Sequence, residues 1–161
     1  MIDIPALIRL LKAYDVEFIV IGGVAAAAHG TARATFDLDV VYRRTPENIE
    51  RLASSLQTHS PSLRNAPPGL PFRFDSETIR RGLNFTLDTD FGPLDVLGEV
   101  TGGGKYEDLL PFTIPLAAFG VSCLCLNLER LIAVKRAAGR PKDFEAIAEL
   151  EALLAEKKAR H

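Results

Sequence analysis

The order of its elements predicts that this chain is an α/β (α+β) domain: a mixed β-sheet flanked by helices and closed by a C-terminal helical hairpin. Three observations carry that expectation. Short β-branched runs alternate with helical periods over residues 3–59. Two strand-like runs then face each other across Asp90-Phe91-Gly92, and residues 128–161 read as two helices parted at Gly139. With 47% apolar and 25% charged residues, the composition argues against a disordered, collagen-like or coiled-coil chain. At 161 residues one core can bury roughly 70% of the unfolded surface, so no disulfide or metal staple is required. We expect residues 1–127 to form the core and 128–161 a hairpin packed on it, one domain overall.

Each element has a local reason. Asp3 can cap a first helix, in which Ile4, Leu7, Ile8 and Leu11 share one face up to about Tyr14. Glu17 to Ile21 is short and β-branched and ends at Gly22-Gly23, so it reads as a buried strand. Val24 to His29 is alanine-rich and unbroken until Gly30, which predicts a short helix. After the connector Thr31 to Phe36, Asp37 to Tyr42 reads as a second strand. Thr45-Pro46 signals a helix start, with burial of Ile49, Leu52, Ala53 and Leu56 before it ends near His59. Ser60 to Pro71 holds four prolines and reads as the longest loop, and Asp75 to Arg81 as a helical turn. Leu83 to Thr89 and Pro93 to Leu97 form a hairpin in which Gly92 supplies a positive φ. Gly102 to Gly104 is a turn, and Pro111 to Asn127 holds one or two strands. Leu128 to Ala138 is helical, Gly139 stops it, and Pro141 restarts a helix from about Lys142 to Lys158.

Charge and cysteine usage narrow the function classes. Nineteen basic against 21 acidic residues give a net charge of −2, whereas a protein that coats nucleic acid by charge alone is basic. Any nucleic acid would therefore be met through a local patch. Arg43, Arg44, Arg73, Arg80 and Arg81 would make one if folded together; scattered surface arginines are the competing reading. Cys123 and Cys125, two apart in an apolar run, read as buried thiols of a reducing compartment. No run reaches the roughly 18 apolar residues of a membrane span. The expected setting is the cytoplasm, with no membrane partner.

The carboxylates carry the chemistry. Positions i and i+2 of a strand share a face, so Asp37 and Asp39 project side by side while Leu38 turns into the core. Two like charges at that spacing are unfavourable unless a cation or an arginine partner lies between them, and magnesium prefers such oxygen ligands. A solvated pair at a strand end is the competing reading. Asp95, flanked by Leu94 and Val96, would complete a two-metal site if its strand neighbours that of Asp37; a solvated hairpin face is the alternative. Gly22-Gly23 ends a strand and opens a helix, where bare N–H groups can receive a phosphate, although an ordinary tight turn fits as well. Arg33, two residues before Thr35, is placed to meet a phosphate, with a surface role as its alternative. His29 suits the C-terminus of the short helix.

Ile21-Gly22-Gly23, then Thr35-Phe36-Asp37-Leu38-Asp39, then Leu94-Asp95-Val96 resembles the DNA-polymerase-β-like nucleotidyltransferase superfamily. The closer resemblance is to small bacterial members, the minimal nucleotidyltransferases and abortive-infection type toxins; Leu131 to Asp143 is similar to the C-terminal signature of the latter. The resemblance spans about Phe18 to Leu150. It implies that Asp37, Asp39 and Asp95 hold two magnesium ions, with Asp95 also helping to deprotonate the acceptor hydroxyl. Gly22 and Gly23 would cradle a nucleoside triphosphate, with Arg33 and Thr35 beside it; Lys135 would reach its phosphate oxygens or steady the carboxylates, and Asp143 would orient Lys135 or Arg140. Many relatives have Gly-Ser where this chain has Gly22-Gly23, so a phosphate-binding hydroxyl is missing. The implied reaction moves a nucleoside monophosphate to an acceptor hydroxyl on a tRNA, a protein or a small molecule. The alternative is a non-catalytic nucleotide- or partner-binding relative, one component of a toxin–antitoxin pair.

Overall fold

A computed structural model describes residues 2–67, 69–118 and 120–160, with Ala118 described by its backbone alone. Pro68, counted in the proline-rich loop, lies outside the described residues.

The first helix, α1 (Ile4–Ala13), begins where Asp3 accepts a hydrogen bond from the Ala6 N–H, and it buries Leu7, Ile8 and Leu11 completely. Each such side chain removed from water contributes about 1.5–3 kcal/mol, which outweighs any propensity term in a helix of this length. Strand β1 (Phe18–Ile21) is buried along its whole length and runs directly into α2 (Gly22–Ala28). Helix α2 starts two residues earlier than the alanine run predicts, because Gly22 adopts φ +69° and makes the sharp strand-to-helix turn itself. At the other end of α2, the His29 ring Nε2 bonds the Leu126 carbonyl at 2.9 Å, which ties the turn to the end of the strand beside β1.

Strand β2 (Leu38–Tyr42) is followed by α3 (Pro46–Leu56), capped by the Thr45 hydroxyl as its sequence predicts. The expected loop from Ser60 to Pro71 contains a two-residue strand, β3 (Ser62–Leu63), too short to show a period in the sequence. After α4 (Ser76–Arg81), capped by Asp75, strands β4 (Asn84–Thr89) and β5 (Gly92–Leu97) form the hairpin, with Gly92 at φ +108°. A short helix not foreseen from the sequence, α5 (Tyr106–Leu109), follows the glycine turn and buries Tyr106 and Leu109. Strands β6 (Thr113–Ala118) and β7 (Val121–Leu126) pair antiparallel. Helix α6 (Leu128–Ala138) ends at Gly139, which takes φ +64°, and α7 (Phe144–Ala159) follows a 3₁₀ turn at Pro141–Asp143. α6 and α7 pack together, with Arg136 ion-paired to Glu151.

The seven strands among the described residues join one mixed sheet in the order β3-β4-β5-β2-β1-β7-β6, so the predicted fold class is the one observed. β1 and β2 are antiparallel, while β2 runs parallel to β5 and β1 parallel to β7. Cys123 and Cys125 are free and buried on β7, and burial pushes the Cys125 thiol up to about 12. Among the described residues no helix is long and apolar enough to cross a membrane.

Candidate functional site

The register of the central strands assembles the site. Ile21 of β1 lies opposite Asp39 of β2, and Asp39 opposite Asp95 of β5, so one row crosses three strands where β1 hands over to α2. Leu38, Leu94 and Val96 are fully buried on the other face, which fixes the sense of the alternation: slipping either strand by one residue would drive a carboxylate into the core. Asp37 lies just before β2 and still shares the face of Asp39. Carboxylate oxygens of Asp37, Asp39 and Asp95 all lie within 4.8 Å of one another.

Such proximity is electrostatically costly. The Asp39 carboxyl is pushed up to about 8 by burial first, then by the Asp37 charge and by the hydrogen bond and charge of Asp95; Lys135 opposes the rise. Asp37 is raised as well, by burial and then by Asp95, with Arg64 and Lys142 pulling the other way. Three hard oxygen donors that resist joint ionisation, gathered at one point, are a donor set suited to a divalent cation such as magnesium. Gly22 adds a steric observation: a Cβ there would overlap the Asp39 Oδ2 and lie 2.9 Å from its Cγ. The absent side chain lets the start of α2 stand directly against a carboxylate of the triad.

The triad opens into a cavity of about 830 Å³ that also includes Gly22, Arg64, Lys135, Arg140, Lys142 and Asp143. Lys135 stands beside Leu131 and Val134 of α6 on its wall. Arg140 is held by Asp143 (Nε to Oδ2, 2.7 Å), and Asp143 is itself buried. Of the two orientations expected for Asp143, the structure shows the one toward Arg140.

Other expected residues are placed differently. Thr35 turns its methyl toward Gly23, where a Cβ would come within 2.8 Å of Thr35 Cγ2, so it sets the spacing of the connector against α2. Arg33 faces α7 instead: its Nε lies 3.2 Å from Glu149 and its Nη2 3.2 Å from Glu145. Four of the five arginines considered for a basic rim are engaged separately. Arg43 pairs with Glu17 and Glu107, Arg80 with Glu50 and Arg81 with Glu77, while Arg44 donates to the carbonyls of Ile79 and Arg80. Phe74, next to Arg73, is buried and meets Phe85 edge-on.

One site residue escaped the sequence reading. Arg64, immediately after β3, places Nη2 2.8 Å from Asp95 Oδ1. Its only sequence signal is a lone arginine between prolines, which carries no period and no motif.

A mixed-sheet α/β fold carrying three convergent carboxylates at a strand-to-helix junction is therefore the class this chain defines. No protein-family model matches the chain, and no curated protein matches it. Among solved structures it is similar to a Thermotoga maritima protein described as a "putative nucleotidyltransferase", with a TM-score of 0.51 and 19% identity over 97% of this chain and 96% of the other. That likeness covers nearly the whole of both chains and is a likeness of fold.

Proposed function

We propose that the chain is a metal-dependent nucleotidyltransferase, which moves a nucleoside monophosphate from a nucleoside triphosphate to an acceptor hydroxyl and releases pyrophosphate. The observation that carries this reading is the convergence of Asp37, Asp39 and Asp95 against the side-chain-free start of α2. In the reaction the acceptor oxygen bonds the α-phosphorus, the bond to the β-phosphate oxygen breaks, and pyrophosphate leaves with that electron pair. Asp37, Asp39 and Asp95 are the residues to hold magnesium, two ions in the full site, which when bound neutralises charge on the transferring phosphate and the leaving group.

The chain's own groups do the rest. Asp95 receives the acceptor proton. Gly22 places no side chain between the start of α2 and Asp39, which leaves the Gly22 and Gly23 N–H groups to receive the polyphosphate. Lys135 and Arg140 supply positive charge on the cavity wall, and Asp143 keeps Arg140 in place. Residues 1–127 thus provide the carboxylates and 128–161 the phosphate-facing cations, which makes the two parts one working unit. Arg33 and Thr35 serve the nucleotide indirectly in this arrangement, by strapping the 31–36 connector to α7 and to Gly23. The similarity of Leu131 to Asp143 to the abortive-infection toxins supports a place in that bacterial branch, hence a cytoplasmic toxin–antitoxin setting.

The test is to incubate the protein with each α-labelled nucleoside triphosphate, magnesium and whole-cell extract, and to find which molecule gains label. Label transfer is expected with wild type and a loss of at least about 10²-fold with Asp37→Asn, at an unchanged fold by circular dichroism. Equal transfer by the variant overturns the catalytic assignment. Absence of any magnesium-dependent triphosphate binding favours a non-catalytic, partner-binding role.

A further inference from the structure

Arg64 is built into the sheet rather than left on its surface. Its backbone N–H donates to the Thr86 carbonyl at 2.9 Å, continuing the pairing of β3 with β4. The guanidinium is then gripped at several points. Nη2 donates to the Leu87 carbonyl at 2.6 Å, Nε faces Asp88 Oδ1 at 3.4 Å, and the same Nη2 reaches across β4 to Asp95 Oδ1 at 2.8 Å. Its side chain, like that of Asp95, is only 20% exposed. A guanidinium stays charged at any working pH, so this is a permanent positive charge in contact with one member of the triad.

Such a charge acts on the triad in two ways. It fixes one oxygen of Asp95, which orients the carboxylate. It also cancels part of the negative charge that would draw in a divalent ion, and in a half-buried site that cancellation is weakly screened. A polyphosphate brings several negative charges of its own and restores the deficit. Resting on the nucleotidyltransferase reading above, we propose that Arg64 is a built-in counter-cation that makes divalent-metal loading of Asp37, Asp39 and Asp95 depend on the arrival of polyphosphate. It is a positioning residue: it acts through Asp95, and its grip on Leu87 and Asp88 keeps it in place throughout.

The test measures Mn²⁺ affinity by electron paramagnetic resonance on the full chain, alone and with inorganic tripolyphosphate. Wild type is expected to bind Mn²⁺ weakly alone and about tenfold or more tightly with tripolyphosphate. Arg64→Gln should bind Mn²⁺ alone about tenfold more tightly than wild type, so that the tripolyphosphate enhancement shrinks, although its transfer rate falls. Arg64→Lys keeps the charge and should resemble wild type in metal binding. A merely structural arginine would give the opposite sign, with weaker metal binding on removal. A folded Arg64→Gln variant that binds Mn²⁺ alone no more tightly than wild type overturns the proposal. If Arg64→Gln does not fold, Arg64→Lys decides: a marked rise in its metal-alone affinity shows that charge is not the cause. A wild-type chain that binds no Mn²⁺ under either condition removes the metal site itself, an outcome distinct from a normal wild type with an unaltered variant.

Discussion

Asp39→Asn is expected to abolish transfer and at the same time to stabilise the metal-free protein, by an amount that grows as the pH rises from about 4 toward 8. The sign follows from linkage. The Asp39 carboxyl is raised from 3.8 in the unfolded chain to about 8 in the folded one, by burial and by its two acidic neighbours. Between those values the folded protein retains a proton that the unfolded chain releases, so stability falls with rising pH across that window and levels off above it. Asp37, raised by burial and then by Asp95, contributes with the same sign. An asparagine keeps the shape and never carries the charge. The difference between variant and wild type should reach a few kcal/mol near pH 8, or a melting-temperature gain of about 5–10 °C in a chain of this size. Thermal melts at pH 4, 6 and 8 in chelator check it, and magnesium should raise the wild type alone. A variant less stable than wild type at pH 8 would mean that Asp39 is a structural residue, not one held in strain for its chemistry.

Gly22→Ala should damage both the fold and the site. Two costs coincide there. The backbone stands at φ +69°, which costs an L-residue about 1–2 kcal/mol, and the new Cβ would overlap the Asp39 carboxylate. Asp39 must swing away, so metal binding and transfer are both expected to be lost, with a melting temperature lower by several degrees. Gly23→Ala supplies the contrast. The Cβ there would meet Thr35 Cγ2 at 2.8 Å, the end of a side chain and not a metal-binding carboxylate. It should weaken triphosphate binding moderately while leaving Mn²⁺ binding intact. Equal effects of the two substitutions on metal affinity would contradict the close fit of Gly22 to the triad.

Much of this site is visible in the sequence because strands impose a period of two. Asp37 and Asp39 bracket a core leucine, and Asp95 stands between core residues, so each carboxylate declares its face from its neighbours alone. What brings Asp95 beside Asp39 is the parallel pairing of β2 with β5, a long-range fact that no local pattern encodes. The helical boundaries followed caps and breakers: α6 matches its Leu128 and Ala138 limits, since Asn127 caps it and Gly139 turns left-handed. The chain hides whatever is too short or too irregular to repeat. β3 has two residues, α5 has four, and Arg64 owes its position to the first of these. Arg33 shows the converse. It sits at a spacing suggestive of phosphate contact, but Glu145 and Glu149, distant in sequence, engage its guanidinium in the fold.

The most direct test of the account is to locate Mn²⁺ by anomalous scattering in crystals grown with a non-hydrolysable triphosphate. Density is expected ligated by carboxylate oxygens of Asp37 and Asp39, with Asp95 adjoining it and the polyphosphate running toward Gly22 and Lys135. Manganese bound elsewhere, with the three aspartates hydrogen-bonded only to one another, would contradict it.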